Sequence, residues 1–285
     1  MTTGVVVVSH NTRDDALACL ASLQHAGADQ VVLVDSGSSD GTARAVKAAF
    51  PEISVLAGPN VGFGKACNRG VQELDTDYVV VANADVRFDP NSAGALGAFL
   101  DANPTVGIVG PAITHPDGRP QASARTFPDL GTAVGHAALS LVWPDNPFTR
   151  RYRMAGWDKT SQRDVDWVSG ACLAIRRQVW DQLGGFDPAY FMFVEDVDLS
   201  WRAHKHGWRV VFSPVAHVTH SVGSSVAGRK ATMVRAHVRS LDYFITNRYA
   251  YPLPIRVAMR AGMTIWAVSV VSWGALSSRT HGQLG

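Results

Sequence analysis

Short apolar runs rich in β-branched residues alternate with segments of helical periodicity through the first third of the chain. The runs are Gly4–Ser9, Val31–Val34, Ile53–Leu56 and Tyr78–Ala82, and the segments between them are Asp14–His25, Thr42–Phe50 and Lys65–Glu73. Continuous apolar runs of this length are typical of strands that are buried on both faces of a sheet. The alternation therefore predicts an α/β, Rossmann-like fold in which a mostly parallel sheet is flanked by helices.

Each of these predicted strands is followed by a polar loop. The loops contain Ser9-His10-Asn11, Asp35–Gly41, Pro59–Gly64 and Asn83-Ala84-Asp85. In open α/β sheets, ligands bind beyond the carboxyl ends of the strands, so the loops are expected to line one crevice of nucleotide size. Residues 1–110 are thus predicted to form the nucleotide-binding half of a domain.

The loop after the second strand combines two carboxylates, small hydroxyl side chains and two glycines in the stretch Asp35–Thr42. A carboxylate at this position can accept a hydrogen bond from the N–H of a pyrimidine or from a ribose hydroxyl. The alternative is that Ser39 or Asp40 only caps the following helix. The whole stretch exceeds what a cap requires, so a nucleotide contact is expected for Asp35.

The segment Asn60–Gly70 is compatible with two functions. Its glycines and basic side chains can bring backbone N–H groups and positive charge close to a nucleotide diphosphate. Gly62 and Gly64 also form a partial dinucleotide fingerprint, with Asp85 about twenty residues further on, which leaves an oxidoreductase as an alternative. Cys67 occupies the third glycine position, and the fingerprint normally belongs to the first strand–helix turn, so the pattern favours the first function.

Asn83-Ala84-Asp85 closes a very apolar predicted strand. A carboxylate at the end of a central strand is well placed to hold Mg²⁺ or Mn²⁺, which prefer oxygen ligands and bridge to phosphates. A surface turn is the alternative for so short a motif. His217 and His220 are structural by default, but one of them becomes a candidate nitrogen ligand for the same cation.

Three acidic residues, Glu195, Asp196 and Asp198, follow the aromatic run Phe191–Phe193 and open a predicted helix that ends near His206. Acids in a first turn favour the helix dipole, which is sufficient to explain Asp198. Apolar neighbours raise the proton affinity of a carboxylate, as a general base requires. We therefore expect Asp196 to be the base and Glu195 to orient the site.

Regular patterns weaken between Pro111 and about Arg163, where prolines interrupt any long helix or strand. Beyond this region, Val168–Ile175 is again apolar and Trp208–Phe212 is a predicted strand. The acceptor-binding and catalytic half of a transferase is accordingly assigned to residues 111–227.

Composition and charge exclude several classes of protein. The formal net charge is +2, and the chain has neither zinc-finger spacing nor a long basic run, so nucleic acid is not an expected partner. The 3 widely spaced cysteines form neither a disulfide framework nor a zinc site, which fits a reducing cytoplasm. The N-terminus lacks the pattern of a signal peptide, so the catalytic part is not expected to be exported. The sequence does not indicate an oligomeric state.

Residues 228–285 have a different character. Seven basic side chains between Gly228 and Arg260 accompany the single acid Asp242, and Ala261–Leu276 then carries no charge. The uncharged stretch is shorter than the about 20 residues of a membrane span. It predicts a helical, membrane-associating tail at the surface of a bilayer, with a buried helix as the alternative.

Eight short motifs, taken in order, resemble glycosyltransferase family 2 from Val5 to about Ser225. They are Val8-Ser9-His10-Asn11, Asp35–Thr42, Asn60–Gly70, Asn83-Ala84-Asp85, Trp167-Val168-Ser169-Gly170-Ala171, Gly184-Gly185-Phe186-Asp187, Glu195-Asp196-x-Asp198-Leu199-x-x-Arg202 and His220-x-x-Gly223-x-Ser225. Within the family, the chain is most similar to bacterial rhamnosyltransferases of cell-wall synthesis. The resemblance implies the GT-A fold and an inverting transfer of L-rhamnose from dTDP-rhamnose to a polyprenyl-diphosphate-linked N-acetylglucosamine. It also implies a peripheral protein at the cytoplasmic face of the plasma membrane.

The resemblance further implies roles for particular residues. The nucleotide-sugar ligands would be His10, Asp35, Asn60, Gly62, Lys65, Asn68, Arg69, Asn83 and Asp85, and the acceptor ligands would be Trp167, Ser169, Gly170 and Arg202. Asp85 and His220 would hold Mg²⁺ or Mn²⁺, and Asp196 would be the base. Asn83 stands at the first position of the family's usual D-x-D, which removes one negative charge. A relative with another donor or acceptor, and a sugar-binding relative without catalysis, are the remaining alternatives.

Overall fold

In a computed structural model, the described part of the chain comprises residues 1–127, 132, 139, 143, 145–221, 230–249, 251–264 and 266–267. The chain divides into two compact units. The first contains Met1–Phe127, Trp157–Phe191 and Glu195–Ser225, and the second contains Pro128–Gly156, Met192–Val194 and Val226–Gly285. The functional boundaries that the sequence suggests, after residues 110 and 227, stay a prediction.

The first unit is built on one large sheet. Its parallel part consists of β1 (Thr3–Ser9), β2 (Gln30–Ser36), β3 (Ser54–Gly58) and β4 (Tyr78–Asn83), in the spatial order β3-β2-β1-β4. The connecting helices are α1 (Arg13–Leu23), α2 (Thr42–Ala49) and α3 (Phe63–Val71). The predicted α/β alternation of this half is confirmed, with the ends of each element moved by a residue or two.

The β-branched runs are buried because helices lie against both faces of the sheet. Val5 of β1 belongs to the core cluster that contains Leu20 of α1. The neighbouring Val6 faces Gly70 of α3 on the other side, since successive side chains of a strand point to opposite faces. A strand that is covered on both sides in this way carries apolar residues at every position.

β3 departs from the prediction of a strand buried on both faces. It forms the edge of the described sheet, and its Ser54 and Ala57 are exposed. A short apolar run does not reveal whether its strand is central or at an edge, because both positions bury at least one face.

The rest of the sheet is mixed. β6 (Val106–Thr114) and β11 (Arg209–His220) pair in parallel, and β10 (Cys172–Arg176) runs antiparallel between β4 and β6. β5 (Val86–Phe88) and β8 (Arg163–Asp164) pair antiparallel with β11, while β7 (Ala124–Arg125) and β9 (Trp167–Val168) form a separate small sheet. Three helices complete this part of the unit, α4 (Ser92–Ala102), α6 (Arg177–Leu183) and α7 (Glu195–Lys205). The last of them confirms the helix predicted after the acidic motif.

Pro111 does not interrupt regular structure as predicted, because it lies inside β6. The register between β6 and β11 shifts between Phe212 and His217, where the proline stands opposite the irregular part of β11. The pairing of β6 with β10 ends at Val109. The missing N–H of Pro111 therefore breaks no ladder hydrogen bond on either side.

Two apolar stretches of the second half have different outcomes. Val168–Ile175 contributes to two strands, since Ser169-Gly170-Ala171 separates β9 from β10. The strand predicted at Trp208–Phe212 continues to His220, so that His217 and His220 lie within β11 and not after it. A hydropathy pattern missed this continuation because the register shift after Phe212 breaks the alternation of buried and exposed residues.

The regular secondary structure that is described in the second unit is helical. It contains α5 (Pro147–Tyr152) and α8 (Lys230–Arg248), and residues 253–264 are also helical. Among the described helices, none is long and apolar enough to cross a bilayer. Parts of the motifs and of the predicted tail lie outside the described ranges, namely Gly223, Ser225, Gly228 and most of Ala261–Leu276.

Gly70 tests how closely α3 packs on the sheet. A Cβ atom there would overlap Cγ1 of Val6 and lie 2.9 Å from Cγ2 of Val34. We expect Gly70→Ala to lower the free energy of unfolding by about 1–3 kcal/mol, measured by urea denaturation. Gly262→Ala is the matched control, because no atom lies within 4 Å of a Cβ at this helical glycine. Its improved helix propensity should raise stability by up to about 1 kcal/mol, and equal effects of the two changes would contradict the packing described.

Candidate active site

The polar loops predicted to line one crevice lie at one edge of the sheet. β1, β2, β3 and β4 are parallel, with Ser9 opposite Asp35 and Val8 opposite Asn83. The chain leaves all of these strands on the same side. The structure therefore brings the nucleotide-binding candidates of the first half together.

A cavity of about 490 Å³ opens over the turn between β2 and α2, and Asp35, Ser38, Asp40 and Arg44 contribute to its lining. Asp35 is only 4% exposed, and its Oδ1 accepts a hydrogen bond from Ser38 N at 3.1 Å. Asp40 binds the start of α2, since its Oδ1 accepts a hydrogen bond from Thr42 N at 3.0 Å. The capping explanation thus applies to Asp40, and Asp35 stays the candidate for the nucleotide base.

His10 and Asn11 join the first loop to the second. His10 Nδ1 donates to Ser36 O at 2.7 Å, because a carbonyl oxygen can only accept. Asn11 Oδ1 accepts a hydrogen bond from Ser39 N at 2.7 Å, and Asn11 N donates to Ser38 Oγ at 2.9 Å. These contacts fix the turn that carries Asp35.

Two predicted nucleotide ligands of the Asn60–Gly70 segment have internal partners. A Cβ atom at Gly62, where φ is +91°, would overlap the carbonyl oxygen of Phe191. The side chain of Asn68 exchanges two hydrogen bonds with the backbone of Phe186, at 2.8 and 2.9 Å. Gly62 and Asn68 therefore hold the segment that leads to the acidic motif.

The other candidates of this segment face outward. Asn60 and Lys65 are exposed. Arg69 lies at the carboxyl end of β3, where the absent side chain of Gly58 makes room for its guanidinium group. Lys65 and Arg69 thus place positive charge at the edge of the sheet where a diphosphate would bind.

Asp85 and His220, the predicted metal ligands, contact each other. Asp85 directly precedes β5, and β5 pairs with the end of β11 so that Val86 lies opposite His220. Asp85 Oδ1 is 3.1 Å from His220 Nε2, and the side chains are only 10% and 11% exposed. Ser221 N also donates to Asp85 O at 3.0 Å. The structure thus forms a pocket of two ligands from motifs that are far apart in sequence.

The two ligand atoms fit a divalent cation. Neighbouring ligands at about 2.1 Å from an octahedral Mg²⁺ are about 3.0 Å apart. The distance of 3.1 Å between Asp85 Oδ1 and His220 Nε2 is close to this spacing. In the described part of the chain no group of three His, Cys, Asp or Glu ligands occurs. Asn83 Nδ2 lies 3.4 Å from His220 Nε2, so the Asn83 amide borders the same position.

Asp196 is held near this pair by the loop before β10. Gly170 N donates to Asp196 Oδ2 at 2.8 Å, and the adjacent Ala171 O accepts a hydrogen bond from Asn83 N at 3.0 Å. The other carboxylate oxygen accepts a hydrogen bond from Val197 N at 2.9 Å. Each oxygen keeps a further lone pair, so that the carboxylate can also accept a proton from a substrate hydroxyl.

Burial gives the two adjacent acids different properties. Burial raises the pKa of Asp196, while the N–H groups of Gly170 and Val197 and the charge of Arg125 lower it by a smaller amount. Glu195 is 6% exposed, and its Oε2 has no hydrogen-bond partner among the described residues. Burial and the charge of Asp196 raise the pKa of Glu195 to about 8. Burial thus favours the neutral form of Glu195, and the partly exposed Asp196 is the acid suited to act as a base.

Trp167 and Ser169, predicted to bind the acceptor, have partners inside the protein. Trp167 is buried and donates Nε1–H to Thr126 O at 2.9 Å. The guanidinium of Arg125 lies 5.1 Å from the centre of its ring. Ser169 Oγ accepts a hydrogen bond from Ala171 N at 3.3 Å. Both residues shape the wall of the site, and Ser169 remains partly exposed.

Arg202, the last predicted acceptor ligand, forms a buried ion pair with Asp198. Its Nε donates to Asp198 Oδ2 at 2.7 Å, and its other nitrogens donate to the carbonyls of Leu183 and Gly185 at 2.7 and 2.9 Å. Asp198 is fully buried and also accepts a hydrogen bond from Tyr190 Oη at 3.2 Å. The sequence explained Asp198 as a first-turn charge, but the structure makes it one half of an internal pair.

Gln121, Arg125 and Lys159 were missed by the sequence analysis. Gln121 contacts His220, and Lys159 Nζ donates to Gln121 O at 2.8 Å. Burial and the charge of Arg125 lower the pKa of Lys159 to about 8. No local pattern distinguishes these residues from surface polar residues, because their partners are up to 99 positions away.

Comparisons with known proteins agree with this arrangement. Residues 2–239 match the family model described as Glycosyltransferase like family 2. The N-acetylglucosaminyl-diphospho-decaprenol L-rhamnosyltransferase of Mycobacterium tuberculosis is 38% identical over 280 residues, which cover 92% of this chain and 90% of that protein. The poly-beta-1,6-N-acetyl-D-glucosamine synthase of Staphylococcus aureus is 24% identical over 270 residues, covering 92% of this chain and 60% of that protein.

Solved structures share the fold. A mannosyltransferase from Pyrobaculum calidifontis in complex with GDP-Man and Mn²⁺ has a TM-score of 0.59 and 19% identity, covering 96% of this chain and 75% of that chain. GalNAc-T7 with UDP, GalNAc and Mn²⁺ has a TM-score of 0.60 and 19% identity, covering 93% and 55%. These likenesses confirm the GT-A fold, and the family match decides against a dinucleotide-dependent oxidoreductase.

The buried pair predicts a structural effect for Arg202. Arg202→Met leaves the carboxylate of Asp198 buried without its cation, so the free energy of unfolding should fall by about 3–5 kcal/mol. Arg119→Met is the matched control, because Arg119 and Asp117 form an exposed pair and its loss should cost less than about 1 kcal/mol. Urea denaturation measures both. If Arg202→Met were as stable as the wild type but bound the acceptor more weakly, Arg202 would be an acceptor ligand, as the sequence predicted.

Proposed function

The chain belongs to glycosyltransferase family 2, and we propose that it transfers L-rhamnose from dTDP-rhamnose to a polyprenyl-diphosphate-linked N-acetylglucosamine in cell-wall synthesis. The observation that carries this proposal is a path of hydrogen bonds. The base candidate Asp196 bonds to Gly170, and the adjacent Ala171 bonds to Asn83 at the end of β4. Two residues further on, Asp85 pairs with His220. The choice of donor and acceptor is supported by the 38% identity to the mycobacterial rhamnosyltransferase.

The donor would lie across the carboxyl ends of β1, β2 and β4. Asp35 lines the cavity for the nucleoside and would bind the base, while His10 holds the adjacent Ser36 through its carbonyl. Lys65 and Arg69 would add positive charge beside the diphosphate. The diphosphate would end at Asp85 and His220, which places the anomeric carbon on the side of the site that faces Asp196.

A divalent cation, Mg²⁺ or Mn²⁺, would be held by Asp85 Oδ1 and His220 Nε2. When bound, it neutralises the negative charge that develops on the leaving diphosphate. Asn83 offers a neutral amide where a second carboxylate is usual, so the pair carries one negative charge. The basic side chains of Lys65 and Arg69 would therefore share the task of stabilising the leaving group.

Asp196 would remove the proton from the acceptor hydroxyl while the new bond forms on the opposite face of the anomeric carbon. The N–H groups of Gly170 and Val197 hold its carboxylate in place. Burial raises the pKa of Glu195 and favours its neutral form, so it is less available to take the proton. The product would have the inverted configuration.

A lipid-linked acceptor requires the protein to approach a membrane, and we place it at the cytoplasmic face. The helix at residues 253–264 supports a peripheral attachment, since Leu253 and Val257, one turn apart, are 61% and 55% exposed. Exposed apolar side chains on a helix with basic neighbours suit the surface of an anionic bilayer. Arg260 stands on the same helix and pairs with Asp242 at 2.6 Å.

A donor panel tests the proposed substrate. The protein is given the lipid-linked N-acetylglucosamine acceptor with dTDP-rhamnose or with uridine- and guanosine-linked sugars at equal concentration. We expect dTDP-rhamnose to yield the most product by mass spectrometry, with an added mass of one deoxyhexose. A higher yield from a uridine- or guanosine-linked donor would contradict the assignment.

The role of Asp196 predicts a loss of turnover without a loss of donor binding. Asp196→Asn keeps the shape but removes the proton acceptor, so kcat should fall by about 10²-fold or more while the Kd for dTDP stays near normal. Because the pKa of Asp196 is raised, the carboxylate takes up a proton at a higher pH than an ordinary aspartate, whose pKa is about 3.9. As the pH is lowered, kcat should therefore begin to fall before it reaches that value. Glu195→Gln is the control and should keep most of its turnover at pH 7. If Glu195→Gln lost its turnover while Asp196→Asn kept it, the base would be Glu195.

Attachment to the membrane is tested with charge substitutions on the exposed helix. Leu253→Glu combined with Val257→Glu should reduce flotation with anionic vesicles, because charged groups do not enter the apolar boundary of a bilayer. Val215→Glu is the control, since Val215 is also apolar and 49% exposed but lies on β11 in the first unit. Equal flotation of the double variant and the control would exclude this helix as the membrane contact.

A further inference from the structure

His220 is contacted on two sides by polar side chains. Asp85 Oδ1 lies 3.1 Å from its Nε2. On the opposite edge of the ring, Gln121 Oε1 lies 3.0 Å from Nδ1. Gln121 also donates from Nε2 to the backbone carbonyl of His220 at 2.7 Å. A single glutamine therefore holds both the main chain and the ring of the histidine.

Neighbouring carbonyls determine the orientation of the Gln121 amide. Its nitrogen faces His220 O at 2.7 Å and Thr114 O at 3.4 Å, and carbonyl oxygens can only accept. The amide oxygen must then face Nδ1 of His220. Because this oxygen is also only an acceptor, Nδ1 carries the hydrogen. In a neutral ring Nε2 is then the nitrogen with a free lone pair, which a cation beside Asp85 can take up; a hydrogen on Nε2 would instead bond to Asp85 Oδ1 at the same 3.1 Å.

The backbone of Gln121 is fixed on both sides of the residue. Its N–H donates to Ile113 O at 2.8 Å. Its carbonyl accepts hydrogen bonds from Ser123 N at 2.9 Å and from Lys159 Nζ at 2.8 Å. These bonds hold the Cα atom beside β6, so the amide is kept against His220.

We propose that Gln121 is a positioning residue that fixes His220 with its hydrogen on Nδ1 and thereby presents Nε2, beside Asp85, to a divalent cation. The inference rests on the metal site of the proposed function. Groups that orient a ligating histidine in this way typically change metal affinity by about 10–100-fold. Gln121 performs the orientation without a charge of its own, so the negative charge at the cation comes from Asp85.

Mn²⁺ binding tests the inference without any turnover. The full-length protein is titrated with Mn²⁺ in the presence of dTDP, and the free cation is measured by electron paramagnetic resonance. Gln121→Leu should raise the Kd for Mn²⁺ by about 10–100-fold, because nothing then selects the Nδ1–H form or the ring orientation. Gln121→Glu keeps an oxygen at Nδ1 and should bind Mn²⁺ at least as tightly as the wild type.

Gln30→Leu is the matched control. The amide of Gln30 also bonds to the backbone of another residue, Asp75, at 2.9 and 3.4 Å, but Gln30 lies at the start of β2 and has no contact with His220. Its Kd for Mn²⁺ should equal that of the wild type. Thermal unfolding of each variant establishes that the protein titrated is folded, and Gln121→Glu carries the test if Gln121→Leu does not fold.

His220→Ala separates the inference from the proposed function. If His220→Ala and the wild type bind Mn²⁺ equally, the cation is not held at His220, and both the metal site and the role of Gln121 are overturned. If His220→Ala loses Mn²⁺ while Gln121→Leu keeps the wild-type Kd, only the role of Gln121 is overturned. A Gln121→Glu variant that binds at least 10-fold more weakly than the wild type, about the lower limit for such groups, would also overturn it.

Discussion

The antiparallel pairing of β10 with β4 is the constraint on which the site depends. Because the two strands run in opposite directions, the beginning of β10 lies beside the end of β4. The loop before β10 therefore meets the carboxyl edge of the parallel sheet, where Ala171 O accepts a hydrogen bond from Asn83 N. The next residue back, Gly170, donates its N–H to the carboxylate of Asp196. One reversal of strand direction thus connects the edge proposed to hold the nucleotide to the residue proposed to remove the proton.

Three acids within four positions have three different functions because their surroundings differ. Asp198 is fully buried but neutralised by Arg202, and it secures α7 to the preceding turn. Glu195 is buried without a cation, so its pKa is raised and its neutral form is favoured. Asp196 is partly exposed and receives two backbone N–H groups, which favour its charged form against the effect of burial. Only the acid between the other two combines access to a substrate with a carboxylate that can accept a proton.

The sequence was sufficient for the parallel half of the fold, and its motifs named the predicted base Asp196 and the predicted metal ligands Asp85 and His220, which lie in contact. Strands buried on both faces produce apolar runs, and polar loops at their ends then fall at one edge of the sheet. The contacts of Asn68, Arg202 and Gln121 were not predictable, because an amide or a guanidinium does not indicate its partner. Asn68 bonds to a residue 118 positions away and Gln121 to one 99 positions away. The motifs named the candidate site residues, whereas only the packing of the folded chain shows which of these side chains bond inside the protein and which are exposed to a substrate.

An inverting transfer requires the leaving diphosphate and the base to lie on opposite faces of the anomeric carbon. A crystal structure of the protein with Mn²⁺ and a non-transferable analogue of dTDP-rhamnose would test this arrangement most directly. We expect the cation to contact Asp85 and His220 and the carboxylate of Asp196 to lie on the face of the sugar ring opposite the leaving oxygen. A cation bound away from His220, or a sugar whose opposite face meets a side chain other than Asp196, would contradict it.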